Sequence, residues 1–443
     1  MKKKILFFAM SLILSAFIIP NASAAAKTPE YQTIGGKNIL FANGTAIKVE
    51  APTTAGMGAT IVYEGGSIEV PADTTIFGGY HNNNEIVDSS IIMNDGTIKN
   101  IFGGGLHISH VNHAYIEING GKITSSIMGG GYEEFVDCGG TDFNAVTEAD
   151  VMSSTTKVET TDIIVNGGNL DGAMIFGGGG AHAYTETASI TLNAYEGKLS
   201  YLIAGGSNGY TGNASIKVNN GEVGVVQSVN RGTMDTATIT IAGGKIDNAY
   251  VGGETDPTVT GTFNEASMEI TGGTVTNVEV GSNGVTENKE SISAKDNITL
   301  TYNKDTVTNI DETEFAEDTV IKTVKLTFSA MNESETIEVP VGTQLTEEDV
   351  EELKNELQAS LTDSGYTFED FYADEDLTKK LDLTQPINDD LIVYMNLVQL
   401  REEDPKDDTT NPETSDIGLA GLVITILLAG TGLGYTIKKR KFN

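Results

Sequence analysis

The chain of 443 residues carries 62 acidic and 27 basic side chains, which gives a formal net charge of −35 at pH 7. A field of this sign repels phosphate groups, so we expect neither nucleic acid nor anionic lipid as a partner; divalent cations would bind only weakly, and no cofactor is expected. The single cysteine, Cys138, excludes an intrachain disulfide framework.

The chain begins with the three parts of a secretory signal. Three lysines precede an apolar run at residues 5–19, and Ala22-Ser23-Ala24 supplies a small-x-small cleavage site. The run is shorter than the roughly 20 residues of a spanning helix, which disfavours the alternative of an N-terminal membrane anchor. We therefore expect residues 1–24 to be a signal peptide and residues 25–57 to form an N-terminal cap region.

A glycine-rich repeat occupies residues 58–296. Its unit is about 24 residues long with insertions, and an aliphatic residue stands two positions after each turn glycine, while alternating aliphatic residues precede it. The turn glycines are Gly66, Gly96, Gly121, Gly168, Gly197, Gly221, Gly244 and Gly273. The pattern indicates short strands with one side inward, joined by turns in which glycine adopts a positive φ.

Short units of this kind become stable only by stacking on their neighbours. The sequence therefore predicts a mainly β fold: a parallel β-helix or β-solenoid of about eight coils, followed by a small α+β module. A β-propeller is the alternative, but its blades need longer units. Asn94, Asn119, Asn166 and Asn219 stand two positions before turn glycines, where their stacked amides are expected to form a ladder.

A second glycine cluster, such as Gly103-Gly104-Gly105 after Phe102, recurs in most units. A phosphate-binding loop needs its glycines once, before a helix that presents free N–H groups. No helical pattern follows any of these clusters, so we interpret them as part of the repeat.

The glycine pattern ends before a second module at residues 323–399, after a connector at residues 297–322. A hairpin is followed by a helix whose start shows a variant capping box, Thr346 with Asp349. The stretch that begins Gly365-Tyr366-Thr367-Phe368 resembles the internalin-type B-repeat of bacterial surface proteins, although Phe371 replaces the tryptophan of that pattern. The resemblance implies a β-grasp-like fold and says little about a ligand.

Four segments follow one another at the C-terminal end. A charged spacer at residues 400–410 precedes a short motif at residues 411–415, an apolar run at residues 417–437 and a basic end at residues 438–443. The run is long enough to span a bilayer, and the cations would remain on the cytoplasmic side.

The short motif consists of Asn411, Pro412, Glu413, Thr414 and Ser415. With the segments that follow, it resembles the cell-wall sorting signal of Gram-positive surface proteins, L-P-x-T-G, whose first and last positions depart here. The resemblance implies that a sortase cleaves after Thr414 and joins the chain to peptidoglycan, so that the protein is secreted, wall-bound and only transiently held in the membrane. The departures leave the sortase class open, and an ordinary C-terminal membrane anchor is the alternative.

Two classes of function compete for the repeat region. An adhesin or binding module would display the rod to a glycan or a host protein. A polysaccharide lyase or hydrolase would need clustered carboxylates, or calcium-binding aspartates with a catalytic arginine or lysine. The region holds one arginine, Arg231, and its aspartates are scattered over several units. We therefore expect a binding protein with no catalytic residues; a structural spacer is a third possibility.

All five histidines follow aromatic–glycine clusters: His81, His107, His110, His113 and His182. A labile zinc or nickel site at His107, His113 and His81 is one hypothesis, and solvated loop histidines are the alternative. Strict alternation along an extended strand places His107 and His113 on one side and His110 on the other.

Overall fold

The computed structural model describes most of the chain between residues 27 and 399. The described ranges are 27–133, 155–180, 182–230, 232–253, 255–256, 259–260, 262–281, 297–330, 333–362 and 366–399. The predicted signal peptide, Cys138, Arg231, the spacer, the sorting motif and the predicted membrane helix lie outside them. Within these ranges, no helix has the length and apolar character needed to cross a membrane.

The described chain is mainly β. In the first part the strands are β1 (Glu30–Ile34), β2 (Lys37–Phe41), β3 (Ile47–Glu50), β4 (Ala59–Tyr63), β5 (Gly66–Val70), β6 (Thr75–Phe77), β7 (His81–Met93), β8 (Thr97–Phe102), β9 (Leu106–Ile118), β10 (Lys122–Met128), β11 (Thr156–Val165), β12 (Met174–Phe176), β13 (Tyr184–Leu192), β14 (Lys198–Ile203), β15 (Tyr210–Val218), β16 (Glu222–Val229), β17 (Thr233–Ile241), β18 (Lys245–Gly253), β19 (Thr255–Asp256), β20 (Val259–Thr260), β21 (Thr262–Ile270), β22 (Thr274–Glu279), β23 (Ile298–Asn303) and β24 (Val307–Ile310). The second part contains β25 (Val320–Ala330), β26 (Glu333–Pro340), the helix α1 (Glu347–Thr362), β27 (Tyr366–Tyr372) and β28 (Leu391–Gln399).

Successive strands pass alternately into two long sheets. The first sheet has the order β1-β2-β6-β8-β10-β12-β14-β16-β18-β22-β24, and the second has the order β27-β28-β25-β23-β21-β17-β15-β13-β11-β9-β7-β3-β4-β5 with β26 beside β25. From β2 to β24, and from β3 through β7 to β25, all neighbouring strands are parallel. This confirms the predicted mainly β, solenoid-like stacking of repeated units.

The predicted inward positions form the core. The aliphatic side chains two positions after the turn glycine are fully buried in seven units: Ile98, Ile123, Leu170, Leu199, Val223, Ile246 and Val275. Seven of the eight predicted turn glycines have φ between +72° and +106°. The exception is Gly66, where the preceding Gly65 takes the positive φ because this first unit is an antiparallel hairpin, β4 with β5, and not a stacked unit.

The second glycine cluster lies where neighbouring units pack most closely. A Cβ on Gly103 would stand 2.4 Å from Gly129 O, and a Cβ on Gly129 would stand 2.2 Å from Gly177 O. The Gly129 position also lies within 2.5 Å of the Thr161 side chain from the second sheet. The clusters therefore recur because stacked backbones leave no room for a side chain there.

The predicted amide ladder is present along one edge. Asn119 Nδ2 donates to Asn94 Oδ1 at 3.2 Å, and Asn166 Nδ2 donates to Asn119 Oδ1 at 3.1 Å. Asn193, from the unit with an insertion, continues it to Asn166 at 2.8 Å, and Asn219 bonds to Asn193 at 2.7 Å. Each side-chain amide thus forms a hydrogen bond with the amide of the neighbouring unit.

Both sheets extend beyond the residues predicted as repeats. Strands β2 and β3, which belong to the predicted cap region, pair with β6 and β7 of the repeat. At the other end, β23 and β24 continue the stack into the segment predicted as a connector. At the N-terminal side, each parallel stack ends in antiparallel strands: β1 lies beside β2 in the first sheet, and β4 and then β5 lie beside β3 in the second.

Strand β25 belongs to both parts of the chain. Its first residues pair with β23, starting at Leu300 with Val320, and its later residues pair with β26 and β28. A separate core, including Phe328, Leu353 and Phe371, lies around this second half. The capping box at the start of α1 is present, because the Thr346 N–H donates to Asp349 Oδ2 at 2.8 Å and the Asp349 N–H donates to Thr346 Oγ1 at 3.2 Å.

Candidate functional site

The inward–outward alternation of several strands of the second sheet is interrupted near their middle. In β9, Val111 and Ala114 are buried, and the two residues between them, Asn112 and His113, face outward. The same interruption recurs at Glu159-Thr160 in β11, at Glu186-Thr187 in β13 and at Asp235-Thr236 in β17. A straight strand alternates strictly, so two consecutive outward side chains mark a corner that repeats from unit to unit.

Polar side chains line this corner and pair across units. His110 Nε2 contacts Glu159 Oε1 at 2.7 Å, and His113 Nε2 contacts Asp162 Oδ2 at 2.9 Å. We call the group of His110, His113, Glu159, Asp162 and Glu186 the corner ridge. Its histidines and Asp162 have side chains that are roughly one quarter exposed, so the ridge is accessible to a ligand.

Two carboxyl groups lie side by side on the ridge. Val158 pairs with Thr185 and Thr160 with Thr187, which sets Glu159 and Glu186 opposite each other on neighbouring strands. The hydrogen bond between them lowers the pKa of Glu159 and raises the pKa of Glu186, and His110 lowers the pKa of Glu159 further. Glu186 therefore loses its proton at a higher pH than Glu159.

Two tyrosines lie in register on neighbouring strands close to the carboxyl pair, Tyr184 in β13 and Tyr210 in β15. Tyr184 is partly buried and Tyr210 is buried. The rings of Tyr184 and Tyr210 stack with centroids 5.2 Å apart and planes 11° apart. Tyr210 OH donates to Asp235 Oδ2 at 2.6 Å, and Lys157 Nζ stands 5.8 Å from the Tyr184 ring centre. The ring stack and the hydrogen bond to Asp235 thus connect β13, β15 and β17 beside the carboxyl pair.

The structure brings together two of the three histidines of the metal hypothesis. The ring centres of His81 and His107 lie 5.5 Å apart, and His81 also stacks on Phe41. Burial, and then the charge of His107, lower the pKa of His81. His113 is instead on the corner ridge, bound to Asp162.

Across the described ranges, no cluster of three or more His, Cys, Asp or Glu residues is placed to hold a metal ion. The zinc or nickel site at His107, His113 and His81 stays a hypothesis, with His113 on a different surface from the other two. The remaining histidine, His182, has φ +68° and donates its backbone N–H to Asn208 O.

The expected alternation of the histidines along β9 is wrong. His110 and His113 both reach outward to carboxylates of β11, although strict alternation places them on opposite sides. The corner between them adds one outward residue and so changes the phase of the strand. Expectations based on a period of two fail at every such corner.

The pairing of Glu159 with Glu186 was not predicted from the sequence, because the two residues are far apart in the chain. They occupy the same position relative to their turn glycines, Gly168 and Gly197, once the two-residue insertion in the second unit is counted. The signal in the sequence is a glutamate at the same position in two successive units, and aligning the units by their turn glycines would have shown it.

The ion pair of His113 predicts a pH-dependent stability. The hydrogen bond to Asp162 raises the pKa of His113 above 6.5, so the folded state favours the charged imidazole. Its contribution, about 0.5–1 kcal/mol for a partly exposed pair, is complete below pH 6.5 and is lost as the pH rises through the raised pKa. We expect the difference in unfolding free energy between wild type and His113→Asn, measured in urea, to shrink over that rise; a constant difference contradicts the pair.

Comparison of the chain with protein-family models, with curated proteins and with solved structures finds no match.

Proposed function

We propose that this chain is a Gram-positive surface protein that is secreted, joined by a sortase to peptidoglycan and used as an adhesin or binding module. The observation that carries the proposal is the order of its C-terminal segments: the motif at residues 411–415, an apolar run at residues 417–437 and a basic end. In this proposal the stacked strands close into a parallel β-helix of about eight coils, and residues 323–399 are a β-grasp-like module between the rod and the wall.

The corner ridge supports a binding role for the rod. Its imidazole and carboxyl groups come from neighbouring strands, which lie about 4.8 Å apart. Carboxylates accept hydrogen bonds from the hydroxyl groups of a glycan or from polar groups of a host protein, and imidazoles can donate or accept them. We propose the corner ridge as the contact surface for such a ligand.

Wall attachment is tested with Thr414→Ala in a native host. Because the sortase forms its acyl bond at this threonine, the variant is expected to move from the wall fraction to the membrane fraction, while the neighbouring Thr410→Ala stays in the wall. The measurement is immunoblotting after muramidase digestion and after detergent extraction. Complete release of wild-type protein by detergent alone would contradict wall attachment.

A polysaccharide hydrolase or lyase is the second candidate, favoured by the Glu159–Glu186 pair. The opposite pKa shifts make Glu186 the weaker and Glu159 the stronger acid of two neighbouring carboxyls. Glycosidic cleavage uses one carboxyl as acid and one as base, so such a pair fits that chemistry. If this candidate is right, both Glu159→Gln and Glu186→Gln reduce the release of sugar ends from a polysaccharide panel by about a hundredfold or more, whereas Glu265→Gln, at the exposed corner of β21, does not. Wild-type protein that releases no sugar ends from the panel rules it out.

A further inference from the structure

One turn of the repeat brings a backbone nitrogen against the side-chain amide that precedes it. Gly221 N donates to Asn220 Oδ1 at 2.8 Å, and the Asn220 side chain is exposed. Gly221 has φ +106° and carries no side chain, so nothing on that residue shields its nitrogen. The nitrogen and the amide carbonyl of Asn220 are therefore held within reach of each other.

The same dipeptide is held differently in two other units. At Asn119-Gly120 and Asn166-Gly167 the side-chain amides are part of the amide ladder. The glycine N–H groups there donate to carbonyls of the preceding unit, Gly120 to Met93 O at 3.2 Å and Gly167 to Ile118 O at 3.1 Å. In these two turns the glycine nitrogen thus points away from the amide that it would attack.

We propose that Asn220-Gly221 is a site of self-modification by deamidation. The Gly221 nitrogen, after losing its proton to a water or hydroxide base, bonds to Asn220 Cγ, and the side-chain nitrogen takes up a proton and leaves as ammonia. The resulting five-membered succinimide is opened by water at either of its two carbonyl groups, which gives aspartate or isoaspartate at position 220. Water is the only co-reactant, and no atom is oxidised or reduced. Holding the reacting atoms close accelerates such a step relative to a turn that holds them apart.

The two products differ in how well the fold accepts them. The equivalent position in an earlier unit is Asp95, and Gly96 N donates to Asp95 Oδ1 at 2.7 Å, so an aspartate product fits this turn. Isoaspartate adds a methylene to the main chain of a turn that has no spare space: a Cβ on Gly221 would stand 2.3 Å from the Tyr195 ring, and one on Gly244 would stand 2.6 Å from Gly221 O. The reaction therefore adds a negative charge in one product and disturbs the stacking in the other.

The test is a time course on the full chain at mildly alkaline pH, followed by peptide mapping with mass spectrometry and enzymatic detection of isoaspartate. We expect folded protein to convert Asn220 about ten times faster than Asn119 or Asn166, because of these three turns the Asn220 turn alone holds the reacting groups together. In denaturant these three of the chain's six Asn-Gly sites should convert at similar rates, since their local sequence is alike.

The matched control is Asn220→Gly, which places at position 220 the residue found at the equivalent positions Gly120, Gly167 and Gly243. The variant creates a new Asn-Gly dipeptide that begins at Asn219, in the arrangement of Asn119-Gly120, with Asn219 already part of the amide ladder. It should fold, and conversion in the peptide that contains residue 221 should fall to the slow rate of Asn119 and Asn166. Equal rates at the three asparagines of folded wild-type protein, or faster conversion at Asn119 or Asn166, overturn the proposal.

Discussion

Replacing Gly129 with alanine is expected to lower the free energy of unfolding by about 3 kcal/mol. The added Cβ would stand 2.2 Å from Gly177 O, a backbone atom of the next unit that cannot move without shifting both sheets. The φ of Gly129 is not in the left-handed region, so the loss reports packing and not backbone strain. Urea unfolding followed by circular dichroism measures it.

The control for Gly129→Ala is Gly172→Ala. Gly172 has φ +77°, but a Cβ there would meet nothing within 4 Å, so only the strain of a left-handed alanine remains, about 1 kcal/mol. If the two substitutions cost the same, close stacking of the glycine clusters is not what requires glycine at position 129.

Replacing Ile163 with alanine is expected to cost about 2–5 kcal/mol. This side chain is fully buried and lies in register between Ile116 and Ile190 of the neighbouring units, so its removal leaves a cavity in the middle of the stack. The next residue of the same strand, Ile164, is partly exposed on the outer side, and Ile164→Ala should cost less than about 1 kcal/mol.

The two isoleucines also test the register of β11. A shift by one residue moves every side chain of a strand to the opposite face, so the order of the two losses would then be reversed. The same urea titration, carried out on both variants at one pH, decides it.

Local patterns predicted the core and the turns well. Leu170 and Val165, on either side of Gly168, are buried as expected. They were predictable because the alternation and the glycine turn each involve only a few consecutive residues. The corner at Asn112-His113 was not predictable in this way, because both residues are polar and a period of two assigns them to opposite faces.

Features that depend on contacts between units were harder to predict. The pairing of Glu159 with Glu186 depends on the length of a whole unit and on one insertion, so neither local sequence reveals it. The end of the glycine pattern was interpreted as a boundary, whereas β23 and β25 pair directly across it. Parallel pairing needs only a compatible strand at the open edge, and that strand need not carry the repeat.

The two roles of β25 have a mechanical consequence. Its start is hydrogen-bonded to β23, while its later residues run parallel to β28, with Leu326 opposite Leu391 and Ser329 opposite Tyr394. A pulling force on the chain end that follows β28, resisted by the stacked strands, stretches these parallel bonds together along the strand direction and does not peel them one after another. Because β23 and β25 are hydrogen-bonded to each other, part of that force passes from β25 to β23 and so to the stacked strands of the second sheet.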